Sequence, residues 1–81
     1  MRVQVRLFAS LRDTVGHTEI GLELGAGATA QDAWEQLVAD HPALAPRRQS
    51  LAAAVNREYV AFDHPLSPGD EVVFIPPISG G

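Results

Sequence analysis

The sequence predicts an α+β domain in which a mixed sheet carries one main helix on a single face. Three observations predict it. Two apolar-polar alternations open the chain and are close enough to form a hairpin. A single long apolar stripe at helical spacing follows. Shorter strand patterns, separated by turn residues, complete the chain. A hairpin followed by one helix and returning strands leaves one face of the sheet without a helix.

Each element has a local reason. Val3, Val5 and Leu7 alternate with Arg2, Gln4 and Arg6, the pattern of a half-buried strand; Phe8 falls on the polar side of it. Leu11 to Val15 predicts a short helical turn stopped by Gly16. Ile20, Leu22 and Leu24 alternate with Glu19, Gly21 and Glu23, a second strand antiparallel to the first. After the loop Gly25-Ala26-Gly27, Thr29 is placed to cap a helix, with Asp32 three residues on. Ala30, Ala33, Trp34, Leu37, Val38 and His41 form the helix stripe, and Pro42 ends it. Ala43 to Ser50, interrupted by Pro46, reads as irregular or as a short helical turn.

A third strand is expected over Leu51 to Asn56, a turn at Arg57-Glu58 and a short strand from Tyr59 to Phe62. Asp63-His64-Pro65 and Ser67-Pro68-Gly69-Asp70 are turn sequences. Glu71 to Ile75 is the last strand, stopped at Pro76-Pro77 because proline has no N–H for the ladder. The first and last strands are expected side by side and parallel. The whole chain, 1–81, is read as one domain with 76–81 a mobile, extended tail.

Composition excludes much chemistry. With 81 residues there is room for one domain and little for a deep cleft. Without cysteine there is no disulfide, thiolate metal site, iron–sulfur cluster or Cys nucleophile. The six cationic side chains are all arginine, so Schiff-base chemistry and side-chain conjugation onto this chain are excluded. A net charge of −4 argues against a nucleic-acid surface and suits a basic protein partner. No apolar run approaches the ~20 residues of a membrane span, and the chain enters a strand pattern at once. A cytoplasmic protein is expected, with neither nucleic acid nor membrane as partner.

Most side chains that carry chemistry have ordinary uses here. His17, His41 and His64 lie in separate segments without metal-ligand spacing, so no metal site is expected. Asp63 and Asp70 are turn formers, while Asp13, Glu19 and Glu23 form a solvated face. Ser10, Ser50, Ser67 and Ser79 lack a neighbouring base, and Gly25 to Thr29 lacks the lysine and spacing of a phosphate loop.

The tail Pro76-Pro77-Ile78-Ser79-Gly80-Gly81 is different. Two prolines favour an extended path that reaches up to roughly 20 Å beyond the sheet. Gly80 and Gly81 carry no Cβ, so the tip is thin enough to enter a narrow channel and present an unhindered carboxylate. A carboxylate is a poor electrophile, and transfer to the α-phosphate of ATP is the usual activation. Beside the root of this tail, Phe8, Val73 and Ile75 share the outward parity of their strands, and Tyr59 extends the group. A contiguous apolar patch of this kind marks a partner site.

These segments together resemble the MoaD family, the small subunit of molybdopterin synthase, nearly end to end. The likeness runs through Val5 to Gly16, Ala53 to Asn56, Phe62 to Leu66 and Gly69 to Gly81. The acidic turn, strand, diproline and Gly-Gly keep their spacing. The resemblance implies a ubiquitin-like β-grasp fold and a sulfur carrier of molybdenum cofactor biosynthesis. It implies that an E1-like enzyme uses ATP to adenylate Gly81, and that a sulfurtransferase supplies the sulfur of a C-terminal thiocarboxylate. The tail, Pro76 to Gly80, then enters the large subunit, where the sulfur passes to the pterin precursor. The chain is then a non-catalytic sulfur donor with no permanently bound cofactor, in a heterotetramer with the large subunit. Phe8, Tyr59 and Ile75 match the family's docking positions, with Tyr59 and Ile75 standing where Leu and Phe are commonest. Related readings are a carrier for thiamine synthesis or tRNA thiolation, or a protein modifier.

Overall fold

The computed structural model describes residues 1–76; Pro77 to Gly81 lie outside the described residues. The elements follow as β1 (Arg2–Leu7), α1 (Ala9–Val15), β2 (Glu19–Glu23), α2 (Ala30–Asp40), a 3-10 helix (Pro42–Ser50), β3 (Ala52–Val55), β4 (Glu58–Val60) and β5 (Glu71–Ile75). The five strands form one sheet in the order β2-β1-β5-β3-β4. β1 pairs antiparallel with β2 and parallel with β5, and β5 pairs antiparallel with β3. This is the ubiquitin-like β-grasp arrangement that the resemblance implies, with α2 on one face only.

The core lies between that face and α2. Val3, Val5 and Leu7 meet Leu22, Val72, Phe74, Ala53 and Val55 from the sheet with Ala33, Trp34 and Leu37 from the helix. The Trp34 and Phe74 rings pack edge to face at 5.2 Å, and Phe62 stacks on Phe74 at 5.9 Å. Such pairs add about 0.5–1.5 kcal/mol beyond the area they bury. Outside the core, the Arg48 guanidinium lies 3.3 Å from the centre of the Phe62 ring and donates to Gln31 Oε1 at 2.6 Å. An aromatic column thus runs from the surface to the middle strand.

Local signals decide the boundaries. Thr29 and Asp32 form a reciprocal capping box at the start of α2. Gly16, at φ 87°, closes α1 in the left-handed region. Three expectations need correction. The segment Pro42–Ser50 is a continuous 3-10 helix, anchored by buried Leu44, longer than the short helical turn that stood as the alternative to an irregular stretch. The third strand is trimmed to Ala52–Val55. The fourth spans Glu58–Val60, not Tyr59 to Phe62. Asn56 and Arg57, at φ 49° and 71°, close a two-residue hairpin turn one position early. Phe62 leaves the sheet to stack on Phe74, and its carbonyl accepts from Gln31 N–H at 2.8 Å.

Candidate functional site

The helix-free face of the sheet is built from the outward parity of every strand. On its β2–β1 side it is charged: Arg2 pairs with Glu23 at 3.3 Å, and Glu19 stands opposite Arg6. On the β5–β3–β4 side it is apolar. One row across the sheet reads Arg6, Val73, Ala54, Tyr59, and the next places Ile75 beside Ala52. Ala54 is only 6% exposed although it faces away from the core, because Val73 and Tyr59 flank it.

Phe8 completes the patch. Its backbone is extended and its carbonyl accepts from Leu11 and Arg12 N–H, so it anchors the first turn of α1. The chain then turns off the sheet at Ala9, whose φ of 51° is left-handed. The Phe8 ring stays on the side of Arg6, whose guanidinium sits 5.8 Å from the ring centre and 3.8 Å from the Glu71 carboxylate. Phe8 and Tyr59 are 45% and 76% exposed, and they are the two large hydrophobic residues most open to solvent among the described ones. Val73 and Ile75 are half-buried between them. The structure therefore brings Phe8, Tyr59, Val73 and Ile75 to one face, at the end of β5 that leads into the tail. Pro76 follows β5 outside the ladder, and the expected insertion residues Pro77, Ile78, Ser79, Gly80 and Gly81 lie outside the described residues.

The strand that bears the tail is fixed at its other end. Asn56 Nδ2 donates to Asp70 Oδ1 at 2.9 Å, and Glu71 N–H donates to Asn56 Oδ1 at 3.0 Å. Asp70 Oδ2 accepts from Ser67 N–H, while the Asp70 carbonyl accepts from Gln4 N–H. This network ties the β3–β4 turn, the turn before β5 and β1 into one register. Sequence reasoning took Asp70 as a turn former and gave Asn56 no role; a side-chain amide 14 residues away in sequence leaves no local signal. Ala52 and Ala54 were also missed as the floor of the patch, since small residues carry no patterning weight.

The remaining candidates stay apart. No group of three His, Cys, Asp or Glu among the described residues is placed to hold a metal ion. An open depression lined by Leu24 to Ala28 and Asp32 has one ionisable side chain, and that carboxylate is engaged in the helix cap. Trp34 is core. Among the described residues no helix is long and apolar enough to cross a membrane. The described part of the chain thus offers an apolar face near the end of β5, with no assembled set of reacting side chains.

The family model described as the ThiS family matches residues 5–81. The chain belongs to the ThiS family. Within it, the chain is 42% identical over 83 residues to the molybdopterin synthase sulfur carrier subunit of Chlamydomonas reinhardtii, covering all of both chains. It is 43% identical over 82 residues to the subunit of the same name from Escherichia coli K12, covering 98% of this chain and 99% of that one. The crystal structure of SAMP1 from Haloferax volcanii superposes with a TM-score of 0.91 at 30% identity, covering all of both chains. The resemblance to the small subunit of molybdopterin synthase is therefore borne out along the full length of this ThiS-family chain, as is its β-grasp fold.

Proposed function

We propose that this chain carries sulfur on the carboxylate of Gly81 and donates it within molybdopterin synthase. The observation that carries the reading is its full-length similarity to sulfur carrier subunits of that synthase, joined to an apolar face near the end of β5 and the lack of an assembled set of reacting side chains among the described residues. The α-carboxylate of Gly81 attacks the α-phosphate of ATP on an E1-like enzyme, forming the acyl-adenylate and releasing pyrophosphate. Persulfide sulfur on a sulfurtransferase then attacks the glycyl carbonyl and expels AMP, and a thiol reductant cleaves the resulting acyl disulfide to leave a thiocarboxylate. The face formed by Phe8, Tyr59, Val73 and Ile75 docks on the large subunit. Pro76 to Gly80 lead the sulfur into that subunit's active site, where it passes to the pterin precursor. The partner supplies the catalytic residues, and two small subunits join a large-subunit dimer. ATP is consumed by the activating enzyme, and this chain retains no cofactor. The setting is the cytoplasm.

Two measurements test the reading. Intact-mass analysis of the native chain should show a population heavier by one oxygen-to-sulfur exchange. Deleting Gly81 should abolish dithiolene formation in a reconstituted synthase; normal activity from the truncated chain refutes the proposal.

A second reading keeps the activated Gly81 and changes its acceptor to an amine on another protein. It is favoured by the similarity to the small archaeal modifier protein 1 of Haloferax volcanii, 32% identical over 84 residues. Isolation of the chain in isopeptide linkage to a target protein would select it.

A further inference from the structure

We propose that Ala9 and Arg6 are positioning residues of the apolar face: together they hold the Phe8 ring outward and still, so that it meets a partner as a preset anchor. The inference rests on the reading of that face as the docking surface for the large subunit. It concerns two residues that act through Phe8.

The chain reverses sharply around Phe8. Leu7 is buried and its N–H donates to the Thr18 carbonyl at 2.9 Å, so the chain is still tied to the sheet there. Leu11, four residues on, is fully buried on α1. The reversal between them falls on Ala9, at φ 51°. A residue with a β-carbon is strained in this region, and glycine is not. Such strain persists only where the surrounding structure over-determines it. Before Ala9 stands the Leu7 bond to Thr18. After it, the Ser10 hydroxyl accepts from Arg47, and the Ser10 carbonyl accepts from Thr14 Oγ1 at 3.0 Å.

The Ala9 side chain is exposed and lies outside the core, so its methyl is not kept for packing. Glycine occupies three other left-handed positions, Gly16, Gly27 and Gly69. At Ala9 the β-carbon confines the backbone to a small left-handed well, where glycine would leave a wide region open. The residue that gains from this is Phe8. Its carbonyl accepts from the Leu11 and Arg12 N–H groups, and its ring is 45% exposed.

Arg6 steadies the ring from the sheet. Its guanidinium sits 5.8 Å from the ring centre and 3.8 Å from the Glu71 carboxylate. The backbone of Glu71 is itself fixed, since its N–H donates to Asn56 Oδ1 at 3.0 Å and its carbonyl accepts from Asn56 N–H at 2.8 Å. An ion pair this exposed adds little to stability. Its consequence lies in where it holds the guanidinium, which attracts the aromatic face. A ring fixed before binding loses less freedom on docking, an advantage of about two- to tenfold in affinity.

The experiment uses the full chain and the purified large subunit. Ala9→Gly should weaken binding by about two- to tenfold and leave Tm at or above the wild-type value, because it relieves strain. Arg6→Gln should weaken binding by about two- to fivefold with Tm unchanged. A role in stability alone would move Tm and affinity together. Each change is repeated in a Phe8→Ala background, where neither should alter affinity further, because the ring through which they act is gone. In the free chain, the Hα–Hβ couplings of Phe8 should report one χ1 rotamer for wild type and averaging in both variants. Equal losses of affinity with and without the Phe8 ring mean that Ala9 and Arg6 touch the partner themselves, and overturn the inference. So does unchanged affinity for either folded variant, or rotamer averaging in the wild-type chain. Absence of any binding by the wild-type chain is instead failure of the docking reading, and the rotamer measurement on the free chain still decides the inference.

Discussion

Replacing Tyr59 by alanine separates the docking face from the fold that holds it. Tyr59 is 76% exposed on β4, with Ala54 opposite it. An aromatic side chain buries about 200 Å² when fully covered, so roughly 150 Å² of Tyr59 is still available to a partner. At about 25 cal/mol per Å², covering that area is worth at most about 4 kcal/mol. Association and ordering costs reduce what appears in affinity, and an interfacial aromatic anchor of this type typically loses about 2 kcal/mol on truncation. That corresponds to roughly thirtyfold weaker binding to the large subunit. The isolated domain should hardly notice, since an exposed position far from the core changes stability by about 0.5 kcal/mol or less. For a domain of this size that moves Tm by about 3 °C. Phe74→Ala is the contrasting change, two strands away on β5 and fully buried against Trp34 and Phe62, with an expected loss of about 3–5 kcal/mol. Calorimetric titration against the large subunit, with thermal unfolding of each variant, gives both numbers. Unchanged affinity for Tyr59→Ala with the fold intact would refute the argument that this face docks. A large fall in Tm would refute the argument that Tyr59 is free of the core.

Other expectations concern the fold. Arg57 holds a left-handed backbone at φ 71° in the β3–β4 turn, so Arg57→Gly should stabilise the domain by about 0.5–1 kcal/mol in denaturant unfolding, despite glycine's greater unfolded-state entropy. Thr29→Ala removes the hydroxyl that accepts from Asp32 N–H at 3.2 Å and should cost about 1 kcal/mol. Arg48→Ala loses the stack on Phe62 and the bond to Gln31, about 1–2 kcal/mol. Arg48→Lys should recover little of this, because an ammonium cannot stack as a plane and donate sideways at once.

Much of the architecture is legible without coordinates because it rests on local rules. Alternation marks β1, β2 and β5, since a side-chain period of two is imposed by the pleat. The helix is marked by its stripe and by Thr29 and Asp32, whose hydrogen bonds span three residues. Proline marks the ends of α2 and β5 because it lacks an N–H. The expected Gly80-Gly81 tail lies outside the described residues; its reading rests on the residue type alone. Where non-local geometry decided, sequence reasoning fell short. The β3–β4 turn closes at Asn56-Arg57 with left-handed residues that are not glycine, held in part by Asn56 bonding to Asp70 and Glu71 across the sheet. Phe62 leaves its expected strand because a ring and a guanidinium from other elements offer it better packing.

The apolar face shows the division most clearly. The outward parity of Phe8, Val73 and Ile75 is a property of each strand alone, and the sequence determines it. Whether they meet depends on β5 lying beside β1 and β3, with β4 beyond, and on the register that sets Val73 against Ala54 and Ala54 against Tyr59. Those pairings join residues distant in the chain, and the packing of the opposite face against α2 selects them. Sequence alone therefore determined the alternating strands, a Gly-Gly terminus and a chain without lysine. The tertiary structure decided that an apolar face forms beside the end of β5.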